Sequence, residues 1–246
     1  MSTYAITTQP APLYNTPNFP HLQPKLEKDT QGLLKSIEII ALPSTKLTVL
    51  KTTNNISEVT STDYPSPTPL YIDNRFLQEV PHQTPERKRT LPSPTHILQF
   101  FTSVIGVRYF WGGNWAQGIP EMPHLYPQLT APEDQDDVLC KGVDCSGLLY
   151  QATNGFTPRN TTQLCTYGQE LEVDSLRAVQ QVVKPLDMLV WPGHVLFVLD
   201  TEHFIESLIG HGVIISNLAE RYQFLRDKLR TENKPFSLRR WHPHFI

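Results

Sequence analysis

The chain has 246 residues, of which 39% are hydrophobic and 18% charged, with a formal net charge of −3. That length supports one large domain or two small ones around a buried core, and the composition excludes a disordered chain. The near-neutral balance gives no electrostatic reason to expect nucleic-acid or membrane-surface binding, and no stretch approaches the ~18 consecutive apolar residues of a membrane span.

The opening Met1-Ser2-Thr3-Tyr4-Ala5-Ile6-Thr7-Thr8-Gln9-Pro10 lacks the basic region and apolar core of a secretory leader. A cytoplasmic protein is therefore expected, with a periplasmic or wall-facing location through another export route as the alternative. Cys140, Cys145 and Cys165 are too few for a disulfide framework and suit a reducing compartment. Cys140 and Cys145 could form half of a metal site, but no second Cys/His pair follows at ligand spacing. No metal or organic cofactor is implied.

Over the first eighty residues, Tyr4–Thr8, Ser36–Leu42, Lys46–Leu50, Ile56–Thr60 and Pro69–Asp73 are short, rich in Ile, Val, Thr and Tyr, and separated by turn residues. Such segments predict a small β-barrel, spanning 1–80, suited to binding or positioning. From Pro81 to Pro94 proline and charge dominate, including Arg87-Lys88-Arg89, and resist both helix and sheet. This stretch is the expected linker, and a second domain runs from 95 to 246.

Ser93-Pro94 opens a capped helix through Phe101, and Tyr109-Phe110-Trp111-Gly112-Gly113 ends in a glycine turn. Residues 114–141 carry prolines and the acidic run Glu133-Asp134-Gln135-Asp136-Asp137 without a period. They read either as a cap over a site or as a surface insertion. Helices are expected over Asp144–Asn154 and around Thr161–Gly168, then strands at Met188–Trp191, His194–Asp200, Phe204–Ser207 and Val213–Ser216. Helices followed by an antiparallel sheet describe an α+β fold.

Within this frame, Gly142-Val143-Asp144-Cys145-Ser146-Gly147 places a thiol at the first turn of a helix, where the dipole and unpaired N–H groups favour a thiolate. Trp191-Pro192-Gly193-His194 places a histidine at the mouth of a strand. Alone, each residue is ordinarily structural. Together, at element ends beside glycine, they point to a cysteine–histidine hydrolase.

Four blocks, Gly106-Val107-Arg108-Tyr109-Phe110-Trp111-Gly112-Gly113, Val143-Asp144-Cys145-Ser146-Gly147, Thr157-Pro158-Arg159-Asn160-Thr161-Thr162-Gln163 and Pro185-Leu186-Asp187-Met188-Leu189-Val190-Trp191 leading to His194-Val195, occur in this order. In them the second half resembles the NlpC-type family of papain-like bacterial cell-wall cysteine peptidases. The first half resembles, more weakly, the bacterial SH3-like barrels that precede such domains. The resemblance implies Cys145 as nucleophile, His194 as base and acid, and a third polar residue, here Glu206, twelve positions on, to orient the imidazole. His203 and His211 are nearby competitors for that place.

It further implies Tyr109 as an oxyanion donor beside the Cys145 N–H, and Asp144, Ser146 and Trp111 as substrate-binding residues, with Arg159 a brace. Tyr71 and Glu58 are further candidates in the barrel. Leu186 and Leu196 stand where the family has glycine, replacing backbone freedom with bulk beside the groove. The implied substrates are peptidoglycan stem peptides or muropeptides, cut between γ-D-glutamate and meso-diaminopimelate or L-lysine. An amidase or acyl transferase on the same scaffold, and a non-catalytic cell-wall peptide-binding protein, are the alternatives.

Overall fold

The computed structural model describes residues 3–18, 26–129, 131 and 134–245; Met1, Ser2 and Glu133 of the sequence patterns above lie outside the described residues. The chain divides into two compact units, Met1–Arg89 with Phe110–Asp144, and Thr90–Tyr109 with Cys145–Ile246. The segment 110–144, grouped by sequence with the second half, thus belongs to the first unit.

In that unit seven strands, β1 (Thr3–Thr7), β2 (Ala11–Tyr14), β3 (Ile37–Ala41), β4 (Lys46–Thr53), β5 (Ile56–Thr60), β6 (Leu70–Asp73) and β7 (Leu77–Val80), form an antiparallel sheet ordered β3-β2-β6-β5-β4-β1-β7. Asn54 and Asn55 close a two-residue hairpin between β4 and β5, and Asn54 takes the left-handed backbone (φ 55°) that asparagine tolerates. The expected closed barrel is corrected to an open sheet, because no pairing joins β3 to β7 among the described residues.

The free edge of β3 is occupied instead by a side chain. The Asn114 amide accepts from the Ile40 N–H at 2.9 Å and donates to the Ile40 carbonyl at 2.8 Å, as a neighbouring strand would. Asn114 opens β8 (Asn114–Trp115), which pairs with β9 (Gly142–Val143) in a two-stranded ribbon. A Cβ added at Gly112 would lie 2.5 Å from the Ile37 carbonyl oxygen, so this approach to β3 requires the glycine turn.

Between these two strands lie single-turn helices, Met122–Leu125 and Gln135–Val138, with Met122, Tyr126, Leu129 and Val138 buried. The Tyr126 hydroxyl donates to Asp73 at 2.8 Å, and Lys28 bridges Asp134 and Asp137 at 2.6 Å each. Met122, Tyr126, Leu129, Asp134, Asp137 and Val138 are thus packed into the first unit, which sets the described part of 110–144 apart from a loose surface insertion.

The second unit is α+β. Strands β10 (Gln169–Leu171), β11 (Met188–Trp191), β12 (His194–Val198), β13 (His203–Leu208), β14 (Gly212–Asn217) and β15 (Ser237–Arg240) form an antiparallel sheet ordered β10-β15-β11-β12-β13-β14. The helix Cys145–Ala152 packs on β12 and β13 and on the helix Pro94–Ser103, whose Phe101 meets Phe197 at 5.1 Å between ring centroids. Ser93 caps that helix by accepting from the His96 N–H, as the Ser-Pro opening predicts.

The helix Leu218–Thr231 starts at an Asn217 cap and buries Leu218, Tyr222, Leu225 and Leu229, a 3–4-residue repeat. That stripe packs with Leu189, Leu196, Val198 and Phe204 of the sheet. Among the described residues no helix is long and apolar enough to cross a membrane.

Candidate active site

Cys145 is the first residue of its helix and is 5% exposed. Its thiol sits at the positive end of the helix dipole and acts on the His194 ring. His194 follows a two-residue hairpin turn after Trp191, and its partner across the ladder is Trp191 itself. Gly193 takes φ 106° in that turn, and its N–H donates to the Thr161 hydroxyl at 3.0 Å, which pins the loop to the start of a neighbouring helix. The Trp191 ring lies 5.2 Å from the imidazole and shields it on one side.

Glu206 reaches the same imidazole from the adjacent strand. The β12–β13 register pairs Phe197 with Ile205 and Val198 with Phe204, so Glu206 projects on the face that carries Phe204 and is covered by the Leu218–Thr231 helix. His194 Nε2 and Glu206 Oε2 are 2.8 Å apart, which leaves Nδ1 for the thiol. Glu206 is fully buried (0% exposed), and two charge-assisted hydrogen bonds meet it from Arg221: Nε to Oε1 at 2.7 Å and Nη2 to Oε2 at 2.7 Å.

Burial disfavours the imidazolium, but the Cys145 hydrogen bond and then the Glu206 carboxylate outweigh it and push the His194 pKa up to about 9. Burial likewise raises the Glu206 carboxyl, and the donors on His194 and Arg221 more than reverse this, holding it below the usual carboxylate range. The arrangement can therefore hold a charged imidazole beside the thiol at neutral pH, poised to give a proton to a leaving group.

Arg221 is the residue that sequence reasoning misses. It belongs to no motif, and the available signal is indirect: a carboxylate buried beneath a helix demands a cation on that helix. The competitors fall away from the ring. His203, the half-buried first residue of β13, pairs with Asp200, and His211 is exposed.

The remaining candidates divide between the units. Ser146 is 4% exposed, and its hydroxyl accepts from Arg159 at 2.8 Å, so the pair braces the first turn of the Cys145 helix. Tyr109 is half-buried at the end of the second unit's first segment. Trp111 and Asp144 belong to the first unit, where the Lys35 ammonium stands 3.0 Å above the Trp111 ring and the Asp144 N–H donates to the Gly113 carbonyl. Cys140, the other half of the weighed metal pair, is fully buried there; burial and then Asp137 push its thiol pKa up.

Both bulky departures have structural explanations. Leu186 takes φ 71°, the left-handed backbone where glycine is at ease, and is held by Trp241 Nε1 donating to its carbonyl at 2.7 Å. Leu196 is fully buried in the core beneath the Leu218–Thr231 helix, so its bulk fills the interior and not a groove.

No family model matches the chain, and no curated protein does. Among solved structures the chain aligns with NlpC1 of Trichomonas vaginalis at 15% identity, over 98% of this chain and 69% of that one, with a TM-score of 0.38. An NlpC/p60 family protein of Bacillus cereus aligns at 16% identity over 98% of this chain and 64% of that one, with a TM-score of 0.41. RipD of Mycobacterium tuberculosis, a non-catalytic NlpC/p60 domain protein adapted to peptidoglycan binding, aligns at 20% identity over 60% of this chain and 95% of that one, with a TM-score of 0.39. The chain thus spans 69% and 64% of the length of the first two.

Proposed function

We propose that the protein is a cysteine hydrolase of peptide or amide bonds, with Cys145 as nucleophile and His194 as its acid and base. The observation that carries this reading is the 2.8 Å bond from His194 to the fully buried Glu206, with the helix-start thiol of Cys145 acting on the same imidazole. The thiolate attacks the carbonyl carbon, and the C–N bond breaks as His194 delivers its proton to the departing amine. Water, deprotonated by the now neutral imidazole, then cleaves the thioester and restores the thiol pair. Glu206 fixes the ring and balances the imidazolium in both halves, and the Cys145 N–H, at the start of its helix, is the backbone donor offered to the oxyanion.

The substrate class rests on the sequence resemblance. Its four blocks support peptidoglycan stem peptides, cut between γ-D-glutamate and meso-diaminopimelate or L-lysine, with Tyr109 as second oxyanion donor and Asp144, Ser146 and Trp111 toward the peptide. Incubation with free L-Ala-γ-D-Glu-meso-diaminopimelate and with its sugar-linked form, followed by mass spectrometry, tests this. Diaminopimelate is expected from the wild type and not from Cys145→Ala. Scission at the sugar–alanine amide instead reassigns the protein as an amidase, and binding without any product removes the enzymatic reading.

A further inference from the structure

We infer that Arg221 is a fourth, positioning member of this site, acting through Glu206 to set the pH at which Cys145 becomes reactive. This rests on the hydrolase reading above. Arg221, Glu206 and His194 are joined by hydrogen bonds, and Cys145 acts on the same imidazole, so the line is drawn from four elements: the Leu218–Thr231 helix, β13, β12 and the Cys145 helix. In the working state their charges alternate as plus, minus, plus, minus, and the line is neutral as a whole.

Neutrality matters because the line is dry. Glu206 is 0% exposed, and the His194 and Arg221 side chains are 13% and 18% exposed. Without the guanidinium, one imidazolium would have to balance both a carboxylate and a thiolate in a site with little water, and a net buried negative charge is costly. Among the described residues, the titratable groups acting on Glu206 are His194 and Arg221, and those acting on His194 are Cys145 and Glu206. The guanidinium also fixes which way the carboxylate points, since Nη2 and His194 Nε2 share Oε2 while Nε holds Oε1.

Removing a positive charge raises the pH at which every nearby group loses its proton; removing a negative one lowers it. The test is the rate of Cys145 alkylation by iodoacetamide across pH, read at that residue by peptide mass spectrometry so that Cys140 and Cys165 do not contribute. In R221Q the acid limb of the profile is expected to move up by about one pH unit, the order of the shift that one nearby charge produces. R221K, which keeps the charge, should recover most of the shift. E206Q should move the limb in the opposite direction, and the E206Q/R221Q pair should return it to about the wild-type position.

An R221Q limb at the wild-type pH, with rates lowered uniformly, overturns the inference and leaves Arg221 a structural brace. R221K behaving like R221Q overturns it as well. If R221Q does not fold, the sign of the E206Q shift decides alone: downward supports the charge-balanced line, unmoved or upward overturns it. A wild-type Cys145 that alkylates with the profile of an ordinary thiol instead removes the hydrolase reading itself, which separates the two failures.

Discussion

A buried carboxylate held by an arginine and by a donor on an aromatic ring is found in each unit. In the first, Asp73 (1% exposed) receives Arg75 at 2.6–3.1 Å and the Tyr126 hydroxyl at 2.8 Å. In the second, Glu206 receives Arg221 and His194. Burial and then the Asp73 charge push the Tyr126 hydroxyl pKa up, so its proton stays in place across any working pH. The imidazole at the other site, its pKa pushed up to about 9, is charged at neutral pH and can still give up its proton. The same electrostatic arrangement is therefore a clamp where its third member is a tyrosine, and a proton-handling device where that member is a histidine facing a thiol.

The largest expected contrast is catalytic. Cys145→Ala should lower turnover at least about a thousandfold, the scale of losing a nucleophile, while the thermal midpoint moves by no more than a few degrees. No substitution at Asp73 should reach that loss, and stem-peptide turnover beside a melting curve reads both. Next, Glu206→Ala should cost on the order of 3–5 kcal/mol in urea unfolding, since it strands the largely buried Arg221, and Asp73→Ala should cost less, since its Arg75 is 41% exposed and stays solvated. Only the first should also alter the pH dependence of Cys145 alkylation, and an altered profile in Asp73→Ala would break the comparison.

The pH dependence of stability sharpens it further. The His194 pKa rises from 6.5 to about 9 on folding, so its stabilisation is fully present below about pH 6.5 and is lost as pH climbs through about 9. The full effect is on the order of 3 kcal/mol between urea midpoints taken at pH 6 and pH 10, and His194→Gln should flatten that span. Glu206 has the opposite sign: its folded pKa is lowered, so its contribution is present above about pH 4.5 and lost on further acidification. The smallest effect belongs to the clamp. Tyr126→Phe removes one donor to a carboxylate that keeps Arg75, and should cost about 1–2 kcal/mol with no change in the alkylation profile.

These sites differ in how well they can be read from the sequence. Cys145, His194 and Glu206 stand where a helix start, a strand mouth and a strand interior put them, and each of those elements has a local pattern. Arg221 is contributed by a helix that meets β13 only after folding, and nothing within its own stretch distinguishes it from a solvated charge. The first unit is harder still. Met122, Tyr126 and Leu129 have helical spacing, but Pro123 and Pro127 limit the helix to one turn, so a packed segment looks like a loop. The barrel expectation failed at one strand edge, where the bonding partner of Ile40 is an asparagine side chain seventy-four residues away that carries no strand signal.

The division of the chain has a temporal consequence. The first unit is left at Arg89 and resumed at Phe110, and it is complete only at Asp144. During synthesis its sheet must wait for residues 110–144 before Ile40 gains its Asn114 cap and Asp73 its tyrosine. At roughly 5–20 residues per second, that pause from residue 89 lasts several seconds. Over that interval the edge of β3 is open to pairing with other chains, which makes the nascent first half the stage at which this protein is most exposed to misassembly.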